Sequence, residues 1–512
     1  MGAATPTSDP EERLPLLVQR LRRQVRGEVM LVDGTCRLLP RDETDVMLAL
    51  ALARDLVVPV VFGAGAARTP AALQVDPRAY LGQMVQFDAE RGTIVVQPGV
   101  RLADLNRWLR PSGWWLPMEA SPLSGSTVGN LVGLDCLAAC RHWGGMVDAL
   151  LGIEAILDDG TPQRFGPFGE HSTLRLTSAR AGGLVSGLFQ TAAGVRGEIA
   201  DHWPGGQRVP DGYRLDCFYP RPERPYTADG AVNLAHLLAG SAGSLAWFSR
   251  ICLRLRRRPA VSHWGVFPQP DHLVALRKSV LLQQSLSASA VLLLDREDMR
   301  RLAQSRHPDD VALWAPSARH GSAAAAALLV RVSGDSSVRV RAAYRRVLEV
   351  LAGGIYRPAA GGQPMTDEGL QSCAGPAGRK PHACDRRGAS VGGAVWQQIL
   401  GELVTPVWEV STSCLPLWPM EPERLADQIA VIGGHLGALA EVVSWRGQIA
   451  GGEVRLQVAG PPAARQAVWN RVLEMEPERW TPALRRALAD VRRQFDPLGI
   501  LPAVRPPWRV PG

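Results

Sequence analysis

Residues 233–255 read NLAHLLAGSAGSLAWFSRICLRL, and their period changes in the middle. Asn233 to Leu238 has the spacing of a short helix that buries Leu234, Leu237 and Leu238, whereas Leu245, Trp247, Ile251, Leu253 and Leu255 fall at odd positions, as on a strand with one buried face. Between them stands Gly240-Ser241-Ala242-Gly243-Ser244. Glycine at such a junction serves either a turn with φ > 0 or the close approach of another group to the main chain. A fold for this chain must place a helix-to-strand turn of very small residues here. Two other apolar runs end alike: Leu56 to Phe62 closes on Gly63-Ala64-Gly65-Ala66-Ala67, and Thr93 to Gln97 on Pro98-Gly99.

A chain of 512 residues is too long for one core and implies at least two domains. Its 46% hydrophobic and 21% charged residues are those of a soluble globular protein. The formal charge of +8 rests on dispersed arginines, since Lys278 and Lys380 are the only lysines. The tight clusters, Arg20-Leu21-Arg22-Arg23 and Arg254 to Arg258, abut amphipathic segments and read as solvated edges, so no nucleic-acid partner is expected. No run approaches the roughly 18 apolar residues of a membrane span. The N-terminal stretch lacks a charged region followed by an apolar one. The eight cysteines are scattered, and neither Cys136 with Cys140 nor Cys373, His382 and Cys384 has convincing metal-ligand spacing. The expectation is a cytoplasmic protein with no metal and no membrane span.

Residues 1–24 read as a polar leader running into an amphipathic helix. Helices are expected over 42–55 and 102–109, and strands over 56–62, 93–97 and 153–157, the last followed by the hairpin signal Asp158-Asp159-Gly160. The texture shifts near Arg256, and 359–393, rich in Gly, Pro and Cys, reads as a long loop.

Read in order, PVVFGAGAA, TIVVQPGVRLADLNRWL, GWWLPMEASPLSGSTVGN, HWGGMVDALLGIEAILDDG, RVPDGYRLD, the opening stretch and VRRQFDPLGILPAVR form a series. Together they resemble the FAD-linked oxidases of the vanillyl-alcohol-oxidase and p-cresol-methylhydroxylase (PCMH) type, nearest the glycolate oxidase and D-lactate dehydrogenase branch. The resemblance implies an α+β fold. A PCMH-type FAD-binding domain of two α+β subdomains would span 25–258, after the leader and helix of 1–24. An α+β cap with an antiparallel sheet would span 259–480, and a C-terminal segment, 481–512, would return to the FAD domain.

The resemblance also implies FAD as cofactor, its pyrophosphate held by backbone N–H groups of glycine-rich turns. The positions it marks are Gly63, Gly65, Pro98, Gly99, Ser121, Thr127, Val128, Gly129, Gly144, Gly240, Ser241 and Gly243. Three departures from the family pattern remove a polar partner or add a side chain: Phe62 and Ala66-Ala67 flank the first glycine loop, Asn130 follows Gly129, and Ala242 stands where an acid is usual. The first loop offers no His, Cys or Tyr for a covalent bond, and Cys136 reads as a small core residue, so the FAD is expected to be non-covalent. The implied chemistry is oxidation of a small 2-hydroxy acid, glycolate-like or lactate-like, with an arginine on its carboxylate and a base on its hydroxyl. Arg446 and His435 are the candidates. An electron-transfer protein or a second flavoprotein subunit is the implied partner. The alternative is a degenerate, non-catalytic member of the fold that serves as a subunit or binding module of a flavoprotein complex.

Overall fold

The computed structural model describes residues 10–32, 34–63, 71–118, 127–136, 143–169, 176, 178–203, 213–219, 232–285, 288–295, 326–351, 412–416, 444–450, 453–459 and 481–501. The chain divides into two compact units, one of Met1–Ala138, Gly144–Arg258 and Glu474–Gly512, the other of Ala139–Trp143 and Pro259–Leu473. The 359–393 stretch, Gly65, Ser121 and His435 lie outside the described residues.

The first unit opens with α1 (Pro10–Gln24), β1 (Glu28–Val32), β2 (Thr35–Leu39), α2 (Glu43–Asp55), β3 (Val60–Phe62) and β4 (Leu73–Val75). The strands form a sheet in the order β1-β2-β4-β3, antiparallel at β1 and parallel elsewhere. Helix α1 is part of this layer, because its Leu14, Leu17, Val18 and Leu21 share one apolar cluster with Leu38, Val46, Leu50, Val60 and Leu73. Asp42 caps α2 by accepting from the Asp45 amide at 3.1 Å. The strand expected from Leu56 starts later: Leu56 and Val57 donate back to the Leu52 and Arg54 carbonyls, and Val57 turns at φ +52°. The last helical turn thus consumes the beginning of that apolar run.

Next come β5 (Met84–Asp88), β6 (Thr93–Val96), α3 (Leu102–Leu109), β7 (Trp114–Trp115), α4 (Val128–Gly133), α5 (Met146–Ala149), β8 (Leu150–Ile156), β9 (Pro162–Phe165) and β10 (Pro167–Phe168). After them follow α6 (Ala179–Gly194), α7 (Arg196–His202), β11 (Val232–Asn233), α8 (Ala235–Leu238), β12 (Trp247–Arg254) and β13 (Arg256–Arg257). An antiparallel sheet runs β5-β6-β12-β8-β9, with β12 the strand read from the odd-position leucines. The Asp158-Asp159-Gly160 turn joins β8 to β9, with Gly160 at φ +81°. Asn233 belongs to a strand rather than a helix, and its Oδ1 accepts from the Ala235 amide at 3.1 Å where α8 begins.

The second unit contains β14 (Val261–Gln269), α9 (His272–Gln284), β15 (Ala290–Asp295), β16 (Ala326–Gly334), α10 (Ser337–Leu351), β17 (Thr412–Pro416), β18 (Ser444–Ala450) and β19 (Glu453–Ala459). Its sheet, β14-β16-β15-β18-β19-β17, is antiparallel throughout. Phe267 pairs with Leu328 and its ring lies 6.3 Å from that of Tyr344, so α10 covers the face of Leu328, Val330 and Val332. Arg331 falls on the other face.

The last helix, α11 (Pro482–Phe495), belongs to the first unit. Gln494 donates to Thr191 of α6 at 2.9 Å, Phe495 lies 5.8 Å from Phe165, and the Val60 amide donates to the Ile500 carbonyl at 2.7 Å.

Candidate functional site

Helix α4 is only six residues long, about 9 Å at 1.5 Å per residue, yet several turns close on it. Thr127 caps it, its hydroxyl accepting from the Asn130 amide at 3.3 Å. The Val128 amide donates to the Val100 carbonyl at 2.8 Å and the Gly129 amide to that of Pro98 at 3.0 Å. A Cβ on Gly129 would stand 2.9 Å from the Pro98 Cβ, and one on Gly99 would stand 2.5 Å from the carbonyl oxygens of Pro77 and Leu81. Glycine is required at both places because backbone meets backbone.

Gly63 reaches the same helix from β3. It turns at φ +85°, and a Cβ there would lie 2.9 Å from Asn130 Oδ1. At the other end of α4, the carbonyls of Val132 and Gly133 accept from the amides of Gly240 and Ala242 at 3.0 and 2.8 Å. Gly240, Ala242 and Gly243 have φ of +81°, +50° and +79°. A Cβ on Gly243 would stand 2.8 Å from Phe62 Cδ2, and the Phe62 ring packs edge-on against Trp247 at 5.2 Å. Both meanings of the opening glycine run therefore hold: the backbone is left-handed, and a ring presses against it. The structure brings Gly63, Pro98, Gly99, Thr127, Val128, Gly129, Gly240, Ser241 and Gly243 around one short helix.

The amides of Gly63, Gly99, Val128, Gly129, Gly240 and Ser241 each donate to a carbonyl of the chain itself. What is left over is side-chain chemistry. Ser241 Oγ and Trp247 Nε1 are buried without a hydrogen-bond partner. Buried polar atoms are rarely left so, because an unpaired hydroxyl loses its water and gains nothing. An oxygen-rich ligand such as FAD fits the Ser241 position.

Gly144, at φ +74°, sits on the C-terminal side of α4, where Asp148 fills the space a Cβ would take. Around it lies a polar cluster that the sequence reading missed. Arg214, 2% exposed, donates through its two terminal nitrogens to Asp135 at 3.1 Å and Asp216 at 2.7 Å. Burial opposes the guanidinium charge, but Asp216 and Asp135 outweigh it and hold its pKa above the ordinary value. Burial pushes the Asp148 carboxyl up, although it accepts from the Gly145 amide at 2.7 Å. Burial, then the Arg214 charge, pull His236 down to about 4, so its ring is neutral at pH 7. The only signal for this cluster was the Arg-Leu-Asp of GYRLD, a charge pair inside an apolar stretch. Cys136, considered as a flavin attachment point, is buried at 3% exposure.

In the second unit, position Arg446 on β18 pairs with Leu294 and Gln457. Through Leu294 opposite Ala327 it shares the sheet face of Arg331, not the face under α10. Arg331 is 4% exposed and its guanidinium stacks over Trp143 at 5.5 Å.

Short strands joined by glycine turns thus close on α4 and leave the buried Ser241 hydroxyl for a ligand. Residues 35–166 match the family described as FAD binding domain. The chain is similar to D-2-hydroxyglutarate dehydrogenase of Escherichia coli (strain K12), 25% identical over an alignment of 277 residues that covers 51% of this chain and 27% of that protein. It is similar also to D-2-hydroxyglutarate dehydrogenase of Pantoea ananatis (strain AJ13355), 26% identical over 279 residues with the same 51% and 27% coverage. The match thus spans little more than a quarter of these relatives' length. Among solved structures, an alkyldihydroxyacetonephosphate synthase shares the fold with a TM-score of 0.59 at 11% identity, over 98% of this chain and 86% of the other. A 4-ethylphenol oxidase from Gulosibacter chungangensis shares it at 0.55 and 11% identity, over 96% and 88%. The resemblance to FAD-linked oxidases and FAD as the cofactor are borne out. No helix among the described residues is long and apolar enough to cross a membrane.

Proposed function

We propose that this protein is an FAD-dependent oxidoreductase that oxidises a small 2-hydroxy acid, with its FAD bound non-covalently. The observation that carries the reading is the unpartnered, buried hydroxyl of Ser241 in a turn held by α4, a helix that itself lies within the residues 35–166 that match the FAD binding domain. Gly63, Pro98, Gly99, Thr127, Val128, Gly129, Gly240 and Gly243 set the turns against one another and leave Ser241 to meet the cofactor. When bound, FAD supplies an acceptor for the hydride of the carbon that bears the hydroxyl. Arg446 is the group for the substrate carboxylate, and His435 the base for its hydroxyl proton, leaving a 2-oxo acid. The substrate class follows the names of the relatives, and the electrons leave to a separate protein, an electron-transfer partner or a second flavoprotein subunit.

Two observations favour the second reading, a non-catalytic subunit: the Phe62 ring fills the surface of Gly243, and the Asn130 side chain lies against Gly63. An absorption spectrum of the purified protein, before and after heat release, followed by FAD titration, separates the two. Stoichiometric FAD and bleaching by 2-hydroxy acids in the absence of oxygen are expected. A protein that stays colourless after incubation with FAD removes the enzyme reading.

A further inference from the structure

Helix α4 ends in a strained turn. Asp135 is not glycine, yet it has φ +42°, a conformation that persists only where neighbours hold it. Two groups do so. Its Oδ1 accepts from the Val147 amide at 3.1 Å, and its Oδ2 accepts from Arg214 at 3.1 Å. The turn closes on the helix through the Asp135 and Cys136 amides, which donate to the Val132 and Leu131 carbonyls, each at 2.9 Å. That same helix end offers Val132 and Gly133 to the amides of Gly240 and Ala242, on either side of Ser241. An unbroken series of contacts thus runs from Arg214 through Asp135 and the end of α4 to the Ser241 turn. Asp216, the other carboxylate on Arg214, lies two residues away on the same segment as the guanidinium that it accepts from at 2.7 Å.

We infer that Arg214, acting through Asp135, is a positioning residue for the FAD site: it fixes the left-handed end of α4 and, with it, the hydroxyl of Ser241. The inference rests on the reading of this site as FAD-binding. It assigns different duties to two carboxylates that pair with the same guanidinium.

The test compares Asp135→Asn, Asp216→Asn and Arg214→Lys with the parent protein. The measurements are FAD affinity by fluorescence titration, visible circular dichroism of bound flavin at saturating FAD, and melting temperature without FAD. Both Asp→Asn changes leave the guanidinium short of one carboxylate, but only the change at Asp135 loosens α4. Asp135→Asn and Arg214→Lys are expected to raise the Kd for FAD about ten-fold or more and alter the dichroism, with the double variant no weaker than the weaker single one. Asp216→Asn should shift Kd less than about three-fold. Equal losses in Asp135→Asn and Asp216→Asn that follow melting temperature, with an unchanged flavin signature, would overturn the assignment, as would unchanged affinity throughout. If Arg214→Lys does not fold, the contrast between the two Asn variants decides. A parent protein that binds no FAD refutes the reading of the site itself and the inference with it, a result visible before any variant is made.

Discussion

Two regions of the first unit are pinned by arginine and carboxylate, at different depths. At the end of α4, Arg214, Asp135 and Asp216 are at most 7% exposed and every link is internal. At the C-terminal clasp, Arg180, 24% exposed, pairs with Asp158 and Asp159 on the β8–β9 turn and donates to the Phe495 carbonyl at 3.1 Å, while Arg54 approaches the same acids at 3.7 and 3.5 Å. Coulomb attraction grows as water is excluded, but so does the penalty for leaving a charge alone. The inner network therefore dictates geometry, whereas the clasp adds strength that solvent and pH modulate.

The largest effect should come from Arg214→Met. It takes away the buried counter-charge that Asp135 and Asp216 share, which costs about 3–5 kcal/mol. That is a large part of the roughly 5–15 kcal/mol that holds a domain folded. Urea denaturation, or loss of soluble protein, measures it. A loss under about 1 kcal/mol would mean that depth does not separate the regions.

Gly129→Ala sharpens the comparison by leaving all charges in place. The new methyl would meet Pro98 at 2.9 Å, and overpacking of this kind costs about 1–3 kcal/mol. Because the displaced element is α4, FAD affinity should fall about ten-fold, as read by flavin titration. Retained affinity with reduced stability would show that α4 moves without disturbing the site.

Of these features the sequence showed the local ones. Asp42 and the apolar period announce α2, and the odd-position leucines announce β12. The apolar run from Leu56 carries no mark where helix gives way to strand, so the boundary was misplaced. Glycine order marked the turns but not their neighbours: nothing in GSAGS names Phe62 as the ring against Gly243. Asp135 and Arg214 stand 79 residues apart, and no periodicity joins them. Local chemistry is legible where cap or period is local, whereas a tertiary pair becomes visible only when the chain is folded.

The clasp should respond to pH. Burial raises Asp158 to about 6, against the lowering effects of Arg180 and Arg54 and with the aid of Asp159 and Asp496. The folded protein then binds this proton more tightly than the unfolded chain, so the contribution of Asp158 to stability falls as pH rises from about 4 to about 6. Arg180→Met removes a charge that compensates the ionised form. Its cost should be about 1.5–3 kcal/mol at pH 8, where Asp158 is ionised, and less than half of that at pH 5, where it is protonated. Urea midpoints at the two pH values measure the difference; equal losses would place the clasp's strength in Asp159 and the Phe495 carbonyl instead.

The smallest effect is expected from Asp104→Asn, and it bears on what the comparison means. Arg107 and Asp104 meet at 2.7 Å, the separation of Arg214 and Asp216, but their side chains are 76% and 49% exposed. If distance set the value of an ion pair, the two would be worth the same. Water and salt screen the exposed pair, and its long side chain surrenders rotamers to make it, so the loss should not exceed about 0.5 kcal/mol in a urea midpoint. A surface loss approaching that of Arg214→Met would transfer the explanation from burial to geometry. The inner arginine would then owe its effect to the left-handed turn at Asp135 rather than to the absence of water.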